Sequence, residues 1–176
     1  PQHTRLLVTH GRAAAAVKTG LPSLPHAALI RQIARQPNGI LREQLLISEH
    51  LSIHYLSALT QIDYDHLLWS CQFNCVRGED SLVRALWAGQ PFVWHIYPQS
   101  DGAHAAKLAA FLDWLQAPAD LRLFHYVWNG LSAQPLPALD LATWSAVAQA
   151  ARQRLLAQAD AATQLMAFAD AKCALY

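Results

Sequence analysis

The chain opens on a short apolar run, residues 4–9 (TRLLVT), which the pattern reads as a buried strand. His10-Gly11-Arg12 breaks it, and residues 13–18 have helical propensity. Residues 20–25 (GLPSLP) read as a loop and residues 27–36 as a helix, stopped by Pro37-Asn38-Gly39. Residues 45–47 and 51–56 read as two strands around a turn at residues 48–50. In the second, Leu51, Ile53 and Tyr55 alternate with Ser52 and His54, the period-two signal of a strand with one wet face. Residues 57–65 read as a loop.

The densest pattern lies between His66 and Gln99. Residues 67–76 are apolar and strand-like, and residues 77–81 (RGEDS) form a charged turn. Residues 82–88 are a helix candidate stopped by Gly89, and residues 91–97 (PFVWHIY) are rich in β-branched and aromatic side chains. That order predicts a parallel βαβ crossover. Residues 103–115 place Leu108, Phe111, Leu112 and Leu115 on one helical face. Residues 121–128 fit either helix or strand, residues 129–137 form a loop, and two alanine-rich helices near 140–157 and 160–173 complete the pattern. The fold class expected is α/β: a Rossmann-like domain, 1–176, with a mostly parallel sheet, the 91–97 strand at its centre and helices on both faces.

Composition narrows the function classes. The chain has 176 residues, enough to bury one core, and is 53% hydrophobic but only 14% charged, so thinly charged surface is expected to meet a partner domain. A net charge of +1 with no basic cluster argues against nucleic acid, and no apolar run reaches a membrane span or marks a signal peptide. Cys71, Cys75 and Cys173 lack framework spacing and read as reduced thiols of a cytoplasmic protein. The nine histidines are scattered, so a metal centre is not expected.

The turn at residues 77–81 packs a cation, a glycine, two carboxylates and a hydroxyl where an apolar segment becomes a helix. Ligands of open α/β sheets bind at such carboxyl ends of strands. Asp80 or Ser81 can cap the helix, the remaining amides and the helix dipole suit a diphosphate, Arg77 can add a charge-assisted fork, and Gly78 permits close backbone approach. Glu79 has no capping role and is free to face a sugar or ribose hydroxyl. The alternative is a capped surface turn with an Arg–carboxylate pair. Lys107 is placed to contact phosphate from the helix after Gln99 but reads rather as solvated, and His95 reads as a satisfied buried histidine over a catalytic one. The six tryptophans, spread over different elements, read as core.

The run YDHLLWSCQFNCVRGEDSLVRALWAGQPFVWHIYPQ, followed by HAAKLAAFLDWL, resembles the hallmark segment of the EarP family. The likeness is close over residues 64–99 and looser to Leu115. It implies a two-domain (GT-B) inverting glycosyltransferase that moves rhamnose from TDP-β-L-rhamnose to an arginine of elongation factor P, with no metal. It also implies that this chain is the C-terminal, donor-binding half. Gln61 resembles the glutamine that reads the thymine base, Arg77, Asp80 and Ser81 resemble residues holding the diphosphate, and Tyr97 resembles a tyrosine that reaches the phosphates. Glu79 resembles a carboxylate needed for activity and is the candidate catalytic residue. Ala58 stands where the family usually has an aromatic residue for the base, Gln72 replaces a usual Asp, and Cys75 replaces a usual aromatic. The family's general base is an aspartate of the N-terminal domain, which also recognises the acceptor, so the resemblance implies donor binding without a complete reaction. The other function class is a non-catalytic nucleotide or nucleotide-sugar binding module.

Overall fold

A computed structural model describes residues 3–21, 30–35, 41–48 and 50–173, with backbone only for 30–35 and 41–48. The chain divides into two compact units, Pro1–Tyr64 and Asp65–Tyr176.

In the first unit, β1 (Thr4–Val8), α1 (Arg12–Gly20), β2 (Ile30–Arg35), β3 (Leu41–Ser48) and β4 (Leu51–Tyr55) build a sheet of order β1-β4-β3-β2. The pair β1/β4 is parallel, with Leu6 opposite Ile53, while β4/β3 and β3/β2 are antiparallel. Residues 30–35 are therefore a strand, correcting the helix expected there. Ladder bonds to β3, in the register Ile30 to Leu46, override local helical propensity. The rest of that expectation, and the stop at residues 37–39, lie outside the described residues, as do residues 22–25 of the expected loop. Val8, Leu21 and Ile53 form a small core, with Ala14, Val17, Leu51 and Tyr55 against it. The alternation in β4 does not make a wet face. Ser52 is 1% exposed, its hydroxyl 3.0 Å from His3 Nε2 and 3.1 Å from His54 Nε2.

Helix α2 (Gln61–Ser70) starts inside the stretch read as a loop and takes residues 67–70 of the stretch read as strand-like. Its start is capped by Thr60: Asp63 N donates to Thr60 Oγ1 at 3.1 Å, and that hydroxyl donates to Asp63 Oδ2 at 2.7 Å. Its end is fixed by Asn74, buried, whose Nδ2 donates to the Leu68 carbonyl at 2.9 Å. The chain thus passes from helix to strand within four residues.

The second unit continues with β5 (Asn74–Arg77), α3 (Glu79–Ala88), β6 (Phe92–His95), α4 (Ala103–Leu115), α5 (Ala119–Trp128), α6 (Leu141–Leu156) and α7 (Ala161–Cys173). β5 and β6 are parallel, Arg77 opposite His95, and α3 connects them as a crossover. Gly89 ends α3 in the left-handed conformation at φ 67°. The expected α/β class and βαβ unit are present, but among the described residues its strands form a separate two-stranded sheet and not the centre of one mostly parallel sheet.

The edge of β6 away from β5 is closed by side chains. Trp94 N donates to His125 Nε2 at 3.2 Å, Asn129 Nδ2 donates to Trp94 O at 2.9 Å, and Ile96 N donates to Asn129 Oδ1 at 2.9 Å. Residues 125 and 129 lie one helical turn apart, so α5 presents both groups to the strand. The segment that fitted helix or strand is thus a helix, with Leu121, Phe124 and His125 on its buried face. α3 packs on β5, and α6 packs against α3 and α4. Trp94, Leu108, Leu112, Leu115 and Trp144 are almost fully buried at the centre of this core, and α7 buries no residue.

His125 is fully buried, with Nδ1–H donating to the Leu121 carbonyl at 3.0 Å, and burial pushes its pKa down to about 4. The neutral ring is therefore the folded form. Stability from this group is fully present above the ordinary histidine value of about 6.5 and is lost as the pH falls through that window to about 4. All six tryptophans lie in this unit, so their fluorescence reports its unfolding. Urea titrations between pH 7 and 4 should show stability declining with acidity. His125→Leu, which orphans the Trp94 amide, should cost about 1–3 kcal/mol at neutral pH and flatten the pH dependence in that window. The same slope in both proteins would remove His125 from this role.

Candidate functional site

Both parallel pairs carry polar groups at their carboxyl ends, where loops leave the sheet and meet helices. In the first unit, a cleft of about 400 Å³ is lined by Thr9 and His10 after β1, and by Ser57, Ala58, Leu59, Thr60, Gln61 and Tyr64 after β4. Gln61 is exposed on the first residue of α2.

In the second unit, β5 ends at Arg77 and α3 begins at Glu79, with Gly78 as the N-cap at φ 77°. This backbone conformation favours glycine. A Cβ at this position would also lie 2.9 Å from both Cε2 and the hydroxyl oxygen of Tyr97, so that side chain would have to shift. The Gly78 backbone is held at both ends. Its N–H donates to the His95 carbonyl at 3.3 Å, and its carbonyl accepts from Trp94 Nε1 at 3.1 Å and from Leu82 N at 3.2 Å. Tyr97, two residues beyond β6 and half exposed, covers the glycine, and the Arg77 guanidinium sits 4.9 Å from the centre of its ring. Arg77, Gly78 and Tyr97 are therefore one cluster at the end of the parallel pair.

The two carboxylates of the turn have different partners. Glu79 Oε1 is 2.8 Å from Lys107 Nζ, and its pKa is lowered, first by that hydrogen bond and then by its own amide. Asp80 instead turns along α3 to Arg84, at 3.2 Å, whose guanidinium also grips both oxygens of Asp65 at 2.8 and 2.9 Å. The expected capping by Asp80 or Ser81 is not made. Gly78 occupies the cap position, and no side-chain hydrogen bond caps α3. Asp80 and Ser81 occupy the second and third helical positions, so their amides belong to the first turn, whose donors have no helical acceptors. Glu79 is already ion-paired, and Lys107, read as solvated, is its partner. His95 is partly buried and its pKa is held low, first by burial and then by the positive Arg77.

The arrangement thus offers an anion a guanidinium, a phenol hydroxyl and first-turn amides at the positive end of a helix dipole. Lys107 is the residue that sequence spacing missed. It lies 28 positions from Glu79 and reaches it from α4, which packs on β6 through Phe111 against Trp94. Among the described residues, no group of three or more His, Cys, Asp or Glu side chains is arranged to hold a metal ion, and no helix is long and apolar enough to cross a membrane. The three cysteines are unpaired thiols.

Comparison with known proteins places these features in a lineage. The sequence profile described as Elongation-Factor P (EF-P) rhamnosyltransferase EarP matches residues 1–170. The protein-arginine rhamnosyltransferase of Pseudomonas aeruginosa is 51% identical over 89 residues, which cover 47% of this chain and 24% of that protein. Its counterpart in Pseudomonas putida is 61% identical over 62 residues, covering 35% of this chain and 16% of that protein. A solved structure described as the structural basis for EarP-mediated arginine glycosylation of translation elongation factor EF-P superposes with a TM-score of 0.62 at 30% identity. It covers 96% of this chain, which spans only 52% of the solved one. With its match running nearly from end to end, the chain belongs to the EarP family of elongation factor P rhamnosyltransferases.

Proposed function

We propose that this chain is the donor-binding half of an inverting protein-arginine rhamnosyltransferase with the two-domain, Rossmann-like (GT-B) architecture. It binds TDP-β-L-rhamnose, and the enzyme transfers the sugar to an arginine of elongation factor P. The observation that carries this reading is the cluster of Arg77, Gly78 and Tyr97 over the first turn of α3. Displacement at the anomeric carbon leaves negative charge on the departing diphosphate. Arg77, the Tyr97 hydroxyl and the amides of Asp80 and Ser81 stabilise that charge without a metal. Pre-set donors of this kind act on developing charge because they need no reorganisation during the reaction.

Glu79 accepts hydrogen bonds from the donor sugar and holds its orientation. Its lowered pKa makes it a poor base at neutral pH, in keeping with a general base and an acceptor surface outside this chain. Asp80, tied to Arg84 and Asp65, contributes its amide and orders the helix start. The family resemblance gives Gln61, in the first unit, the reading of the pyrimidine edge, for which its amide has the paired donor and acceptor. Ala58 offers no ring beside it, so TDP affinity is modest.

Calorimetric titration of TDP tests the site. Arg77→Ala should weaken binding by about 1.5–3 kcal/mol, the size of a hydrogen bond to a charged group. Glu79→Ala should keep TDP affinity within a factor of about three while impairing transfer in the full-length enzyme, since bare TDP lacks the sugar that Glu79 contacts. Equal TDP affinity for wild type and Arg77→Ala would remove the turn from the donor site. A separate expectation concerns this chain alone. Incubated with TDP-β-L-rhamnose and elongation factor P, it should produce no arginine-linked sugar by mass spectrometry, and a modified arginine would show that the chain carries its own base.

A further inference from the structure

Lys107 and Glu79 form an ion pair that contributes little to the fold. Both side chains are about half exposed, at 50% and 52%, and such pairs add little to stability in water. Glu79 needs no cation to sit where it does, because the first turn of a helix already favours a carboxylate. The backbone that carries the lysine is nevertheless well anchored. The next residue, Leu108, is fully buried, and Phe111, one turn on, packs edge-to-face on Trp94 at 5.3 Å. The ammonium lies 5.8 Å from the centre of the Trp94 ring, and the indole of that same tryptophan bonds the Gly78 carbonyl. One aromatic side chain thus sets both the cap of α3 and the position of the cation facing its first residue.

The consequence is electrostatic. A carboxylate at the mouth of a diphosphate site repels the ligand it serves, unless its charge is offset and its oxygens are aimed elsewhere. Resting on the reading of the turn as the donor site, we infer that Lys107 is a positioning residue for Glu79. It offsets the carboxylate's charge and holds it at one angle, so that a sugar hydroxyl, and not the diphosphate, meets the free oxygen. The ion-paired Asp80, with Arg84 and Asp65, keeps the other carboxylate of the turn aside in the same way. Lys107 acts through Glu79 and does not itself hold the phosphates.

The experiment uses the full-length enzyme with TDP-β-L-rhamnose and elongation factor P, with TDP alone as the binding probe. Lys107→Met should lower kcat about tenfold or more with the donor KM changed by less than about threefold, the pattern of a contact made chiefly in the transition state. Lys107→Arg, which keeps the cation, should recover most of the rate. In a Glu79→Gln background, Lys107→Met should cost little more, because the lysine's partner is already neutral. TDP affinity and melting temperature should match wild type in every Lys107 variant. A Lys107→Met enzyme with wild-type kcat overturns the inference. So does a Lys107→Met loss of TDP affinity as large as that of Arg77→Ala, which would make the lysine a phosphate ligand. If Arg77→Ala also leaves TDP affinity unchanged, the donor-site reading itself has failed, and the two failures are told apart. Should Glu79→Gln be too slow to measure, the kcat, Arg-rescue and TDP arms decide alone.

Discussion

The second unit depends on how one strand edge is satisfied. A two-stranded parallel pair leaves a row of backbone donors and acceptors open, and burying such groups unpaired is costly. Here His125 and Asn129 do the work of a third strand. They accept from Trp94 N and Ile96 N, and Asn129 donates to Trp94 O. Asn129 Nδ2 also donates to the His125 carbonyl at 2.8 Å, so the two groups brace each other across one turn of α5. The imidazole must stay neutral to accept the Trp94 amide, and full burial keeps it so.

Everything at the turn is hung from that strand. β6 supplies the His95 carbonyl that holds the Gly78 amide, and Trp94 supplies the indole that holds the Gly78 carbonyl. Tyr97 follows two residues later and lies over the glycine, where a Cβ would meet its Cε2 and hydroxyl oxygen at 2.9 Å. The path from a buried histidine to the exposed Arg77 is short, each step being a hydrogen bond or a packed ring. A rigid support of this kind allows a surface turn to hold its donors in a fixed direction without a deep cavity around them.

The charges of the turn are sorted by the same framework. Two adjacent carboxylates beside a proposed anion site would work against it if both pointed into it. α2 brings Asp65 to Arg84, which draws Asp80 down the side of α3, and α4 brings Lys107 to Glu79. Helix direction accounts for the split, since successive residues on α3 point about 100° apart.

The sequence by itself determined the β-α-β unit around residues 77–81, because Gly78 and Gly89 bracket a helix whose flanking strands are dense in apolar and aromatic residues. It also marked Arg77 and Glu79, since a charged turn between apolar segments is a local feature, while Tyr97 comes from the family resemblance. The start of α2 is not read from the pattern: Thr60 and Asp63 lie in a stretch that reads as loop, and the apolar run after it reads as strand. Tertiary structure alone decided the rest. Residues 30–35 became a strand through ladder bonds to β3, a partner that local propensity does not contain. Ser52 became buried because His3, 49 positions away, meets it. Lys107 joined Glu79 because α4 packs on Trp94 through Phe111, and β6 stayed in a two-stranded sheet because α5 took its free edge. Periodicity encodes which face of an element is apolar. Which distant group satisfies a given donor is settled only when the elements pack.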